Sequence, residues 1–417
     1  MRHIKGHIIT VFPLFLVLIL LPSYIPIVNL AQASSDEITL EKYIDPLPEG
    51  PTLNDANLNL EEISTGLDLP TGMTFVGPND ILVTEKNTGI VKRITNGQLN
   101  PEPVLDESIA NVKERGMLGI AAAVNSNRNG NAPTNTIGPT YVFLYYTDSS
   151  STTDGDDADS EENVLGSRLY RYELIDNQLV NPKLLLDLPA HPPPDREEAS
   201  RDHYGGKVLI GPADNYVYVG IGNVIVHQGQ AQNVLDGEPL DGTSGILRVG
   251  QDGEVQPNPP LGSTQTMSPY YYAYGIRNTF GMDFDPITGK LWDTENGPTY
   301  ADEINIVEPG FNSGHSKIHG FAKDASTDDS EDDEEDGSED DSSSEAAINP
   351  ATDLVNFGGN SQYSDPEFVW TTPLGVTALK FLNSDKLGSQ YQNTIFIGDT
   401  NSGWLYNFKL NPQRTGL

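Results

Sequence analysis

Short hydrophobic segments separated by turn residues recur along most of the chain. They come in groups of three, and each segment has the length and the alternating pattern of a β-strand. A small sheet of this size cannot bury both of its faces alone, so the repetition predicts an all-β fold, a β-propeller whose sheets stack around a channel. A large sandwich or a pair of barrels is the alternative. The five groups span Thr71–Ile94, Gly116–Leu174, Gly205–Gly250, Phe280–Gly310 and Gly375–Leu410.

The expected number of blades depends on how the ring closes. A ring needs its last sheet completed, because an open ring leaves an unpaired sheet edge. Asn59–Thr65 is a candidate for the outer strand of that last sheet, but only NPQRTGL follows Leu410. We therefore expect a six-bladed propeller whose last blade is truncated at the C-terminus.

The N-terminus has the pattern of an export signal. Arg2 and Lys5 precede the hydrophobic run Ile8–Leu21, and Ala31-Gln32-Ala33 fits a cleavage site. This predicts a signal peptide over residues 1–33, a polar tether over 34–58 and the propeller over 59–417. Prolines within the hydrophobic run favour cleavage over retention as an anchor, so we expect a protein exported to the cell exterior without stable membrane insertion.

The chain is strongly acidic, with 24 Lys and Arg against 60 Asp and Glu and a net charge of −36. This balance argues against nucleic acid as a partner. Part of the excess lies in an insertion at residues 324–348, which we expect to be disordered, and a shorter acidic tract covers Asp154–Glu162. Solvated loops are the simpler interpretation of both tracts, and a loose calcium sink is the alternative. With no cysteine, disulfides and thiolate chemistry are excluded.

The densest chemistry lies between Tyr270 and Gly314. Arg277 comes just before one predicted strand, and Gly297-Pro298 comes just after the strand expected to pair with it. Both would then lie at one rim of a sheet. A guanidinium and a loop with free carbonyls at one rim suit an anionic ligand bridged by a hard cation.

His203 is the histidine with the most suggestive surroundings. It lies in the segment RDHYGGKVLIG, directly before a Gly-Gly entry into a predicted inner strand. A histidine at a strand mouth can act as a general base near neutral pH. A lone surface histidine is the competing interpretation.

Three of these segments carry a family resemblance. HYGGKVLIG, YGIRNTFGMDFDPITGKLW and TENGPTYADEIN, in this order, resemble the soluble glucose/sorbosone dehydrogenases. The resemblance extends from about Leu67 to the end of the chain. It implies a six-bladed propeller that uses pyrroloquinoline quinone (PQQ) and calcium to oxidise sugars and passes the electrons to an external acceptor.

The resemblance also implies roles for individual residues. His203 would take the proton from the C1 hydroxyl of the sugar while hydride passes to the quinone, and Arg277 would stabilise charge on the quinone oxygen. Asn278, Glu114 and Asn223 would lie around the cofactor, the last two at positions where the family has Gln and Asp. An amide at Asn223 can orient an imidazole but cannot stabilise its protonated form as a carboxylate does.

The calcium site is implied in the same way. Main-chain carbonyls of Gly297 and Pro298 would bind the ion, with Asp302 and Glu303 as nearby charges or, alternatively, as a surface ion pair. His315 stands where the family has an aromatic residue. These differences leave a second function open, a secreted propeller that binds carbohydrate or protein without catalysis. A third, a calcium-dependent lactonase, would need more channel-facing carboxylates.

Overall fold

The computed structural model describes residues 52–124, 139–153, 157–192, 201–224, 227–325 and 347–417. The predicted signal peptide, most of the tether and most of the acidic insertion lie outside these ranges. Within them, no helix combines the length and the apolar character needed to cross a membrane.

The described residues form five β-sheets, and each contains one of the five predicted strand groups. Most neighbouring strands are antiparallel. The first sheet consists of β1 (Pro70–Gly77), β2 (Asp80–Glu85), β3 (Ile90–Thr95), β4 (Gln98–Leu99) and β5 (Leu105–Asp106). The second consists of β6 (Met117–Ala123), β7 (Thr140–Ser149), β8 (Val164–Ile175) and β9 (Gln178–Leu188).

The third and fourth sheets extend the predicted groups with strands that the pattern did not indicate, whereas the fifth contains its three predicted strands alone. The third contains β10 (Val208–Ile210), β11 (Val217–Ile221), β12 (Gly245–Val249), β13 (Tyr271–Tyr274), β17 (Phe311–Asn312) and β18 (Gln362–Tyr363). The fourth contains β14 (Thr279–Phe284), β15 (Leu291–Glu295), β16 (Asp302–Val307) and β19 (Phe368–Trp370). The fifth contains β20 (Val376–Phe381), β21 (Ile395–Asp399) and β22 (Leu405–Phe408). Helical structure is limited to α1 (Pro350–Asp353) and the 3-10 turns Gln230–Gln232, Ser268–Tyr270 and Ala322–Asp324.

Strand β7 shows why the sheets stack. Along it, Tyr141, Phe143 and Tyr145 pack into the core shared with the third sheet. The alternate residues, including Val142 and Leu144, pack into the core shared with the first sheet. A strand with two buried faces requires a sheet on each side, and burying one such side chain contributes about 1.5–3 kcal/mol. Similar cores join the third sheet to the fourth and the fourth to the fifth.

The first strand of each sheet is its innermost strand. β1, β6, β10, β14 and β20 contact one another in this order. Together they line a central cavity of about 380 Å³. The arrangement is therefore an all-β, propeller-like ring of sheets around a channel, as the pattern predicts, rather than a sandwich or paired barrels.

Close approach between two inner strands depends on glycine. A Cβ placed on Gly119 of β6 would lie 1.9 Å from the carbonyl oxygen of Gly206, just before β10. Any side chain at position 119 would therefore push the second and third sheets apart beside the cavity.

The prediction for Asn59–Thr65 is wrong. These residues form no strand, and Ile63 packs instead against the buried face of the first sheet, beside Ile81 and Val83. The described residues contain five sheets, and a six-bladed ring stays a prediction.

Candidate functional site

The predicted site residues meet at one end of the cavity. His203 precedes β10, Arg277 precedes β14 and Gly297 follows β15, so all three lie where the innermost strands begin. Glu114, Lys207 and Asn296 line the same cavity. The sequence prediction that the arginine and the Gly-Pro loop share one rim is confirmed, because Nη1 of Arg277 donates to the carbonyl of Gly297 at 3.0 Å.

His203 is not a lone surface histidine. It is half-buried and its backbone is left-handed, with φ 63°. Its ring nitrogen Nδ1 lies 2.6 Å from Oδ1 of Asn223. The backbone beneath is tight, because a Cβ on Gly222 would lie 2.3 Å from the carbonyl oxygen of His203. The absence of a side chain at Gly222 therefore allows Asn223 to approach the imidazole.

Glu114 connects the backbone of His203 to Asn278, the residue that follows Arg277. One carboxylate oxygen, Oε2, accepts the backbone N–H of His203 at 2.7 Å and the Nδ2 amide of Asn278 at 3.2 Å. Oδ1 of Asn278 in turn accepts from the backbone N–H of Gly205 at 3.1 Å. Glu114 and the buried Asn278 therefore hold the histidine segment at the cavity wall, beside any ligand in the cavity.

The neighbouring Arg115 anchors this corner. Its guanidinium is fully buried and donates to the phenol of Tyr204, to the carbonyl of Ala190 and to both carboxylate oxygens of Glu161. Burial alone would raise the pKa of Glu161, but hydrogen bonds from Arg115, His191 and Arg201 lower it to about 2. Within the described part of the shorter acidic tract, Glu161 is thus bound to the propeller although its side chain is 44% exposed.

The Gly-Pro loop presents oxygen atoms to positive charge. Nη1 of Arg277 donates to the carbonyls of Asn296 and Gly297 at 3.2 and 3.0 Å. In the described part of the chain, the buried Oδ1 of Asn296 has no hydrogen-bond partner. Carbonyl and amide oxygens of this kind are ligands for a hard cation.

Asp302 holds this loop against the fifth sheet. Oδ1 accepts the backbone N–H of Gly297 at 3.0 Å, and Oδ2 accepts those of Leu374 and Gly375 at 2.7 and 2.8 Å. Asp302 is 1% exposed. Its contacts are those of a carboxylate that positions the Gly297 loop.

The interpretation of Asp302 and Glu303 as a surface ion pair is wrong, because both side chains are buried. Oε2 of Glu303 accepts from Asn305 at 3.3 Å, and Oε1 accepts from the backbone N–H of Gly320. Burial holds the pKa of Glu303 well above its usual value. Among the residues that the structure describes, no group of three or more His, Asp or Glu side chains is arranged to hold a metal ion.

Two further carboxyls lie beneath Arg277 on β15. Glu295 accepts the backbone N–H of Arg277 at 2.6 Å and the hydroxyl of Ser313 at 2.6 Å. Burial raises the pKa of Glu295 to about 8 and that of Asp293 to about 7. Neither carboxyl is among the site residues that the sequence predicts. Alternation along β15 places both on one face, although the sequence alone does not show that this face is buried.

The cavity wall also carries two lysines that the sequence analysis did not select. Nζ of Lys86 donates to Oδ1 of Asn87 and the carbonyl of Asn111 at 3.0 and 3.1 Å. Burial lowers the pKa of Lys86, and it lowers that of Lys207 to about 8. Both half-buried lysines line the cavity and favour an anionic ligand there, and the charge of Lys207 also interacts with Asp283 and Lys380 at the other end of the strands.

Two more histidines reach the site from the loop after β17. The buried Nε2 of His315 accepts from Nδ2 of Asn223 at 3.0 Å, and His315 Nδ1 lies 3.1 Å from Nε2 of His319. The sequence analysis placed His315 only at a position where the family has an aromatic residue, and it did not select His319. Their spacing of four residues was the available signal, but it did not indicate which strand end they would meet.

Comparisons with known proteins identify the family of the chain. The Glucose / Sorbosone dehydrogenase family profile matches residues 67–416. The chain is 23% identical over 404 residues to quinoprotein glucose dehydrogenase B of Acinetobacter calcoaceticus, covering 85% of this chain and 78% of that protein. It is 27% identical over 197 residues to aldose sugar dehydrogenase YliI of Escherichia coli strain K12, covering 47% and 45%.

A solved structure is similar over most of the fold. The PQQ-bound form of aldose sugar dehydrogenase from Streptomyces coelicolor superposes with a TM-score of 0.54 at 20% identity, covering 85% of this chain and 80% of that one. At this identity the likeness establishes the fold.

Proposed function

Because the chain belongs to the glucose/sorbosone dehydrogenase family, we propose that it is an exported dehydrogenase that oxidises the C1 hydroxyl of aldose sugars with PQQ and calcium. One observation carries the proposal. His203, just before the third sheet, and Arg277 and the Gly297 carbonyl, beside the fourth sheet, flank one end of a cavity of about 380 Å³ that their neighbours Gly205 and Asn296 line. A base, a cation and an oxygen-rich loop are the groups that this oxidation requires.

His203 is the proposed base. With Nδ1 bound to Asn223, the other ring nitrogen is the one that takes a proton from the sugar hydroxyl. Glu114 fixes the backbone of this histidine, so the ring is held at the cavity wall before substrate arrives. Asn223 accepts from Nδ1 but remains neutral when the ring gains a proton.

The residues present fit the cofactor. The carbonyl of Gly297 and the unpartnered Oδ1 of Asn296 suit calcium, with the carbonyl of Pro298 as the proposed third ligand. Lys86 and Lys207 supply positive charge for carboxylates in the cavity. PQQ, when bound with calcium, supplies the hydride acceptor.

Arg277 serves both parts of this arrangement. Its guanidinium lies on the same carbonyl that we assign to calcium, and a carbonyl oxygen has lone pairs for two partners. From there it stabilises negative charge that develops on the acceptor. Asp302 and Glu303 act behind the loop, where they hold backbone amides.

A second function is favoured by one specific difference. Asn223 replaces a carboxylate behind the base, and the neutral amide gives the protonated imidazole less stabilisation. A secreted propeller that binds carbohydrate or protein through the same mouth is therefore the competing proposal. An external electron acceptor distinguishes the two, because only the dehydrogenase needs one.

Dye reduction by the purified protein, reconstituted with PQQ and calcium, tests the proposal against a panel of aldoses. We expect sugar-dependent reduction that falls about 10²- to 10⁴-fold in His203→Ala, the usual contribution of a general base. His227→Gln is the matched control, because the ring of His227 contacts Asp241 and the carbonyl of His191 and not the predicted site residues. Reduction that is equal in His203→Ala and wild type would refute the assigned base, and no reduction with any aldose would favour the binding propeller.

A further inference from the structure

Four side chains form a continuous hydrogen-bonded file that runs from the cavity wall into the protein. His203 Nδ1 lies 2.6 Å from Oδ1 of Asn223, and Nδ2 of the same amide lies 3.0 Å from Nε2 of His315. His315 Nδ1 then lies 3.1 Å from Nε2 of His319. Asn223, His315 and His319 are 3%, 1% and 5% exposed, so bulk water does not compete for these contacts.

The amide gives the file a direction. An asparagine oxygen only accepts and its nitrogen only donates, whereas a neutral imidazole has one nitrogen of each kind. With Oδ1 towards His203, Nδ1 of that ring carries the hydrogen and Nε2 is the proton acceptor. With Nδ2 towards His315, Nε2 of His315 accepts, so its Nδ1 carries the hydrogen and donates to His319.

If the Asn223 amide were rotated so that Oδ1 and Nδ2 exchanged places, donor and acceptor would be exchanged in every hydrogen bond of the file. His203 would then accept at Nδ1 and carry its hydrogen on Nε2, so the nitrogen facing substrate could not take a proton. A carboxylate in place of Asn223 would accept from Nδ1–H in either orientation. Because this chain has an amide, another group must select its orientation.

The geometry allows His315 to make this selection. The backbone N–H of Asn223 donates to the carbonyl of Arg277 at 2.8 Å, which fixes the main chain but not the side-chain amide. His315 is held on both sides of its Cα, because its N–H donates to the carbonyl of Gly275 at 3.0 Å and its carbonyl accepts from Nδ2 of Asn233 at 2.7 Å. These bonds fix the main chain of His315, and the 3.1 Å contact between its Nδ1 and Nε2 of His319 holds the ring with Nε2 towards the amide.

We propose that His315, supported by His319, is a positioning residue that orients the Asn223 amide and thereby keeps His203 in the tautomer whose Nε2 accepts a proton. The tautomer itself is a property of the protein without ligands. Its value for catalysis rests on the dehydrogenase function proposed above. The inference assigns a role to a position at which the family resemblance implies an aromatic side chain instead.

Proton–nitrogen correlation spectra of the ligand-free protein test the tautomer directly. We expect wild-type His203, assigned by its loss in His203→Gln, to carry its hydrogen on Nδ1. His315→Phe removes the acceptor, and a substantial share of His203 should then carry the hydrogen on Nε2. His315→Glu supplies a carboxylate that only accepts, so it should hold Nδ2 of Asn223 towards position 315 and return the wild-type pattern. An unchanged His203 tautomer in His315→Phe would overturn the proposal.

Kinetics in two backgrounds separate positioning from a merely structural role. With Asn223 present, His315→Phe should lower kcat about 10- to 100-fold with little change in KM, because a fraction of the base is in the wrong tautomer. In the Asn223→Asp background the same substitution should change kcat less than about twofold, since a carboxylate needs no orientation. Equal losses in both backgrounds would overturn the proposal.

Two arrangements keep the test decisive. If His315→Phe does not fold, His319→Phe is used instead. This variant removes the contact to Nδ1 of His315, so Nε2 of His315 can also donate to the Asn223 amide. His203 should then populate both tautomers. A protein that binds no PQQ still gives the spectra, so failure of the dehydrogenase proposal is distinguishable from failure of this one. An unmixed wild-type tautomer in a folded His319→Phe protein would count against the file.

Discussion

The buried carboxylates at the two ends of the innermost strands have different kinds of partner. At the end where the strands begin, buried carboxylates such as Asp302 and Glu303 are bound mainly by backbone amides and neutral side chains. At the end where the strands finish, carboxylates form direct ion pairs. Oδ2 and Oδ1 of Asp285 accept from Nε and Nη2 of Arg414 at 2.7 and 2.6 Å, and Asp283 pairs with Lys380 at 2.9 Å.

This difference indicates which end is built for a ligand. An ion pair between two side chains of the protein stabilises the fold and leaves little charge to attract a ligand. At the first end, Arg277 lies on carbonyl oxygens, and an amide oxygen of Asn296 is unpartnered among the described residues. The strand starts therefore carry the candidate chemistry, and the strand ends hold neighbouring sheets together.

The largest expected effect comes from Arg277→Leu. Removing this guanidinium should lower the proposed sugar-dependent dye reduction about 10²- to 10³-fold, since it removes one charge-stabilising donor from the site. The free energy of unfolding, measured in urea, should change much less than the activity. A variant with lost stability and retained activity would place Arg277 among the structural groups instead.

Arg414→Leu is the matched change at the opposite end. It leaves the fully buried carboxylate of Asp285 without its partner, so we expect unfolding to become easier by about 3 kcal/mol. Dye reduction by the protein that remains folded should stay near wild type. A large loss of activity without loss of stability would show that the two ends are not separate in function.

Asp302→Asn should have a smaller effect on stability and a specific one on the site. The amide keeps one acceptor but turns a donor towards backbone N–H groups, which should cost about 2 kcal/mol of stability. Because this side chain ties Gly297 to Gly375, calcium should also protect the variant less against thermal unfolding than it protects wild type. Equal protection of both proteins would separate Asp302 from the calcium loop.

The last prediction concerns the dependence of stability on pH. Burial raises the pKa of Asp293 from 3.8 to about 7, so between these values the folded protein holds a proton that the unfolded chain has released. Stability should therefore fall as pH rises through this window, by up to about 1.4 kcal/mol per pH unit for one proton. Asp293→Asn should flatten this dependence in urea unfolding, leaving the part due to Glu295. Parallel curves for the two proteins would contradict the shifted pKa.

The strand pattern predicted the ring well, because period-two alternation reports directly on burial. All five groups became sheets, and the alternating residues of β7 indeed face two cores. Additional strands such as β13 and β19 were missed, since YYAY and FVW are too short to show a period. Asn59–Thr65 was misassigned because a few apolar residues fit both a strand and a segment packed on a sheet.

For the site, local motifs identified the residues that come directly before or after a strand. His203, Arg277 and Gly297 could be placed because each is next to a recognisable strand. His315 and Lys207 could not be assigned, because their importance depends on contacts across the ring that one sequence does not encode locally. Burial of Glu303 was likewise set by packing between sheets.

Equilibrium titration of PQQ into the full chain without its predicted signal peptide, with and without calcium, tests the central claim most directly. We predict saturable binding at micromolar PQQ that requires calcium and is weakened in Arg277→Leu but not in Arg414→Leu. A folded protein that binds no PQQ at this concentration in the presence of calcium would contradict the dehydrogenase proposal.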